Sequence, residues 1–79
     1  MAHKEQSELA STIKQAKAKV EIGEKYSHYK YPDQSYSILA IGFIEETETT
    51  SVVYQAEYGE KIVWIRPLEE FLQKFTIVK

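Results

Sequence analysis

The hydrophobic period of this chain changes once, at Gly23, and that single change fixes most of what it can fold into. Ahead of it, Leu9, Ile13, Ala16 and Val20 recur at helical spacing within residues 6–20. Ser7 or Ser11 offers an N-cap, Lys14, Lys17 and Lys19 suit the negative end of the helix dipole, and Gly23 provides a stop. The apolar stripe is too narrow to hold a helix in water by itself, so it has to dock. Its own sheet is one partner; a second copy, giving a homodimer through this helix, is another.

After Glu24 apolar residues alternate, which is the period of a strand. Residues 26–31 form a short aromatic strand, and Pro32-Asp33-Gln34 reads as the turn after it. Residues 36–44 are the strongest strand. Tyr36, Ile38, Ala40, Gly42 and Ile44 share one face, and Ser37, Leu39, Ile41 and Phe43 the other. Both faces are apolar at its centre, so it is expected to be central and covered on both sides, with a bulge or bend at Gly42. Residues 45–50 are an acidic connection. Residues 51–58 form the next strand, Gly59-Glu60 a tight hairpin turn, and residues 61–66 the returning strand, stopped by Pro67. Leu68, Phe71, Leu72 and Phe75 then have helical spacing, with Pro67 at the first helical position. Residues 76–78 can close with a last short strand.

These elements predict a mainly β, α+β protein. Residues 1–23 are a helical extension, and residues 24–79 are a small, partly open, SH3-like barrel of four or five antiparallel strands ending in a short C-terminal helical turn. The expected core gathers around Ile38, Val52 and Trp64. Strands covered on both faces cannot stay flat, and curling is the economical solution.

With 79 residues and no cysteine, the chain has neither disulfides nor thiolate metal sites to staple it. Two histidines, His3 and His28, are too few for a closed structural zinc site, and no cofactor is expected. Residues 1–23 carry +1 and residues 24–79 carry −3. An acidic β-rich part disfavours sequence-independent nucleic-acid binding, which needs a cationic face. No apolar run is long enough to span a membrane, and the polar N-terminus does not read as a signal peptide, so a cytoplasmic location is expected.

Three motifs in order carry a resemblance. They are Tyr26-Ser27-His28-Tyr29-Lys30, then Ser51-Val52-Val53-Tyr54-Gln55-Ala56 with Tyr58-Gly59, then Trp64-Ile65-Arg66-Pro67-Leu68-Glu69 with Phe71-Leu72. Over roughly residues 22–75 the chain resembles the bacterial domain-of-unknown-function 1653 family. The resemblance implies a small SH3-type barrel and no established activity, cofactor or partner. Tyr31-Pro32 stands where the family usually has Gly, so the first turn must differ. Phe43-Ile44-Glu45 replaces a segment that is often polar or contains His, and Glu70 replaces a common Met.

The candidate site residues are Tyr26, His28, Lys30, Tyr54, Tyr58, Trp64 and Arg66. His28 titrates near neutrality and can transfer a proton, or it can simply lock its strand by a hydrogen bond. Arg66 shares a face with Trp64. It can bind a carboxylate or phosphate through paired hydrogen bonds, or pair internally with Glu46, Glu48, Glu57 or Glu69 and lie over a Tyr. Glu45, Glu46 and Glu48 read as a solvated turn, without the spacing of a calcium loop. No nucleophilic triad or phosphate loop is present, since Asp33 lies in a turn and the three glycines are isolated. Six tyrosines and one tryptophan exceed what so small a core needs, and such residues suit binding surfaces. The expected function is therefore a non-catalytic binding module for a peptide, protein or small anion. A nucleic-acid-associated barrel that stacks bases, and an enzyme using His28 and Arg66, are the alternatives.

Overall fold

The N-terminal stripe folds as expected and is used at once. A computed structural model describes residues 5–78, so His3 and the polar N-terminal stretch lie outside the described residues. Helix α1, Gln6–Lys19, buries Ala16 and half-buries Leu9 and Ile13, and Val20 just beyond it is fully buried. The N-cap is Glu5, not Ser7 or Ser11, and no side chain caps the helix. Gly23 has φ +90°. That region is costly for a side chain, so glycine lets the chain leave the helix and meet the sheet at once. Its N–H bonds the Ile38 carbonyl at 2.9 Å.

Five strands follow: β1 Lys25–His28, β2 Tyr31–Ile44, β3 Thr49–Ala56, β4 Val63–Pro67 and β5 Phe75–Ile77. Helix α2, Leu68–Lys74, carries the chain from β4 to β5. The strand order is β4-β3-β2-β1-β5, and every pair is antiparallel. Strands β4 and β5 are the two edges and are not paired, so the expected SH3-like barrel is corrected to an open sheet. The sheet is nonetheless strongly curled. Four strand spacings in a flat sheet amount to roughly 19 Å. Yet the Arg66 guanidinium of β4 lies 5.8 Å from the ring centre of Phe75 in β5.

The central strand departs from its expected form for a local reason. Ile38 pairs with Tyr54 and Ala40 with Val53, so Leu39 is an extra residue in β2, and no bulge falls at Gly42, which pairs regularly with Ser51. An extra residue inverts the side-chain alternation beyond it. Tyr36 and Ile38 face inward before the bulge and Ile41 after it, while Leu39 and Ala40 are exposed. The two apolar faces read from the sequence are therefore one buried face in two phases.

The first reversal is also displaced. Tyr29-Lys30 makes the turn, because His28 already pairs with Tyr31. Ser27 next pairs with Ser35, so Pro32-Asp33-Gln34 bulges out of the β1–β2 ladder instead of turning the chain. Proline fits there because no ladder hydrogen bond is asked of it. The β3–β4 connection is wider than a two-residue turn. It spans residues 57–62, with positive φ at Gly59 and Lys61 and a hydrogen bond from Lys61 N–H to the Tyr58 carbonyl at 3.1 Å.

One apolar cluster joins the inward sheet face to both helices: Tyr26, Tyr36, Ile38, Ile41, Val52, Tyr54 and Ala56 from the sheet, Ala16 and Val20 from the N-terminal segment, and Leu68, Phe71 and Phe75 from the C-terminal one. Ile38 and Val52 are core residues as expected. Trp64 is not; it is half exposed on edge strand β4.

Candidate functional site

The curl leaves part of the inward face uncovered, and a cavity of about 200 Å³ opens there. It is lined by His28, Tyr31, Tyr36, Tyr54, Trp64, Arg66 and Phe75. Alternation places Tyr54, Trp64 and Arg66 on one face, since Trp64 is directly opposite Tyr54 and Arg66 is two residues further along β4. The curl then brings β1 and β5 round to meet them.

Arg66 is held by its neighbours. Its Nε–H donates to the Tyr54 hydroxyl at 3.2 Å, and its guanidinium lies over the Phe75 ring. Among the described residues no carboxylate lies within ion-pair distance of it; Glu57 pairs with Lys25 at 3.4 Å instead. The bond to Tyr54 keeps the guanidinium firmly charged, above its ordinary value despite partial burial, and Glu70 contributes only at longer range. Because Tyr54 accepts from Arg66, its own O–H is free to donate.

His28 is the second polar group. Its ring stacks on Tyr29, with centroids 4.8 Å apart, and meets Phe75 edge-on at 5.1 Å. Nδ1 accepts the Lys30 N–H at 3.1 Å, which leaves the proton of the neutral ring on Nε2. Partial burial depresses its basicity below the ordinary histidine value, and the charges of Arg66, Lys74 and Lys30 depress it further. At neutral pH the cavity therefore presents donors: the guanidinium, the Tyr54 hydroxyl and a neutral imidazole. Such a set matches an anion.

Of the sequence candidates, His28, Tyr54, Trp64 and Arg66 converge here. Tyr58 does not line the cavity but adjoins a residue that does, its hydroxyl 2.6 Å from that of Tyr36. Lys30 is in the exposed turn, with its ammonium 5.8 Å above Tyr29. Tyr26 is in the core, packed edge-on against Phe71, and its hydroxyl accepts the Glu21 N–H at 3.1 Å. Tyr31, Tyr36 and Phe75 also line the cavity and stand outside the seven candidates, although Tyr31 and Tyr36 belong to the surplus of tyrosines that suits a binding surface. Tyr31 falls in phase only because Pro32-Asp33-Gln34 bulges, and Phe75, expected on the C-terminal helix, instead begins β5 and is placed by the return of that strand beside β1. Among the described residues no group of three or more His, Asp or Glu is placed to hold a metal ion. No helix among them is long and apolar enough to cross a membrane.

The Tyr36 hydroxyl yields a pH prediction. Burial, with the Tyr58 hydrogen bond second, pushes its pKa from 10.0 up to about 12. The unfolded chain therefore loses this proton first as pH rises. Stability should be intact below pH 10 and decline between 10 and about 12, by about 1.4 kcal/mol per pH unit at most from this group. Urea unfolding across that range checks it. Tyr36→Phe should flatten the decline, and an unchanged slope in the variant would assign the alkaline sensitivity elsewhere.

Fold and cavity together define a small α+β protein: an open, curled five-stranded antiparallel sheet with helices on one face and an aromatic, arginine-bearing pocket beside them. Residues 24–79 match the model described as a protein of unknown function, DUF1653. The chain belongs to that family, with α1 preceding the matched region. No curated protein and no solved structure matches the chain.

Proposed function

We propose that the domain is a small binding module whose pocket takes the anionic group of a peptide, protein or small molecule. The observation that carries this reading is the Arg66 guanidinium, half-buried among aromatic rings and paired with a tyrosine hydroxyl where a carboxylate would ordinarily sit. Phe75 and Tyr54 fix its position, so little side-chain entropy is lost when an anion arrives. The surrounding rings lower the local dielectric, which strengthens each hydrogen bond made beside them. His28 and Tyr54 add donors, and the half-exposed Trp64 forms a wall that an aromatic or apolar ligand body can cover.

Convergence of His28 and Arg66 also supports a second reading, in which Arg66 holds an anionic substrate and His28 moves a proton. Among the described residues the pocket lining contains no serine, cysteine or carboxylate to act with it, so the binding reading is preferred. Trp64, the one tryptophan, reports on the pocket. Its fluorescence should change saturably on titration with benzoate or phenyl phosphate, and not with benzyl alcohol. Indifference to both anions would refute the reading.

A further inference from the structure

The inference here rests on the anion-pocket reading and concerns the strand beside it. Strand β4 pairs only with β3 and forms one edge of the sheet. In an antiparallel ladder every second residue turns both its backbone groups toward the partner, and the residues between turn theirs away. Ala56 N–H donates to the Ile62 carbonyl at 3.0 Å, which sets the phase. Ile62, Trp64 and Arg66 therefore face β3, whereas Val63 and Ile65 present their N–H and C=O groups at the open edge. Pro67 falls in the outward phase and has no N–H to offer there. Proteins commonly guard such edges with charge or proline. Val63 and Ile65 carry neither, and the two residues are 47% and 60% exposed.

Side-chain alternation decides what an added strand would meet. Trp64 and Arg66 lie on the pocket face. Val63 and Ile65 lie on the other, where Ala40, Val53 and Ile65 make an apolar row across three strands. A residue added opposite Trp64 would thus have Arg66 as its diagonal neighbour, within reach of a long side chain. A second copy adding its own β4 would bring no carboxylate to Arg66, because Val63-Trp64-Ile65-Arg66 contains none.

We propose that the β4 edge takes up an extended peptide as a sixth strand, with an acidic side chain on its pocket-side residue bound by Arg66 and apolar side chains on the flanking residues beside Val63 and Ile65. Backbone pairing supplies affinity, and the pocket supplies selection for the acid.

The test uses the full-length ¹⁵N-labelled protein and the peptide acetyl-Thr-Val-Glu-Val-Thr-amide. Binding should slow amide exchange at Val63 and Ile65 at saturation and shift the Trp64 indole signal. Replacing the glutamate by glutamine should weaken binding at least about tenfold, as loss of a hydrogen bond to a charged group requires. N-methylation at either valine nitrogen, which would point at β4, should also weaken it about tenfold or more. N-methylation at the glutamate nitrogen, which would point to solvent, should leave it unchanged. If the indole shifts while Val63 and Ile65 exchange as before, the pocket takes the acid alone and the added strand is wrong. If neither this peptide nor benzoate binds, the pocket reading falls with it. Protection of Val63 and Ile65 in the free protein that disappears on dilution would show the edge filled by a second copy and overturn the peptide assignment.

Discussion

Phe71→Ala should remove about 3–5 kcal/mol of stability, enough to leave much of the domain unfolded at physiological temperature. A chain of 79 residues has roughly 4–12 kcal/mol to lose. Phe71 is fully buried, its ring stacked on Phe75 at 4.4 Å and set against Tyr26 and Tyr54 at 5.4 and 5.3 Å. The neighbours come from β1, β3 and the start of β5, so backbone held by hydrogen bonds surrounds the void and cannot collapse into it. Phe71 also backs Phe75, a wall of the pocket, so the fold and the site share one support. Leu72, next in sequence, is exposed, and Leu72→Ala should cost within about 1 kcal/mol. Urea unfolding of both variants decides the matter. Similar losses for the two would mean that α2 does not dock by the face described.

The second large effect concerns Arg66. Arg66→Gln should weaken binding of benzoate roughly tenfold to a hundredfold, the equivalent of about 1.5–3 kcal/mol for a hydrogen bond to a charged group. Arg66→Lys keeps the charge but loses the planar fork, and should fall between the glutamine variant and the parent. Both variants also strip the Tyr54 hydroxyl of its partner. Stability therefore has to be measured alongside, and a loss near 1 kcal/mol is expected from that bond. Calorimetric titration of folded protein separates the two effects. Equal affinity in all three proteins would take the anion away from Arg66.

How far the sequence revealed this molecule depended on whether the deciding interaction was local. The stripe of Leu9, Ile13, Ala16 and Val20 was legible because helical period is a property of neighbouring residues. The same holds in part for α2: Leu68 and Phe71 are buried as their spacing implied, but Leu72 of the same stripe is exposed, and Phe75, also buried, belongs to β5. The bulge at Leu39 was not legible. Ala40, Ile41 and Leu39 are all apolar, so a shift of phase leaves no trace in the pattern. Pro32 and Asp33 carried genuine turn chemistry, but the register of β1 against β2 placed the reversal at Tyr29-Lys30, and register is a long-range property.

The site divides along the same line. Tyr54, Trp64 and Arg66 could be grouped because adjacent antiparallel strands with simple alternation put them on one face. Their meeting with His28, Tyr31, Tyr36 and Phe75 required the curl and the crossing of α2 to the opposite edge, neither of which is written in any one segment. The half-exposure of Trp64 has the same origin. It would be a core residue in a closed barrel, and in an open sheet it stands on an edge.

The central claim is that this pocket offers donors to an anion, and the imidazole of His28 is its most direct witness. Its titration can be followed by proton–nitrogen NMR with and without saturating benzoate. In the free protein the midpoint should lie below the ordinary 6.5, because burial and the surrounding cations disfavour the charged ring. Bound anion should offset those charges and move the midpoint upward, so that affinity grows as pH falls through that window. A midpoint that stays where it was, or moves down, when benzoate is added would contradict the account.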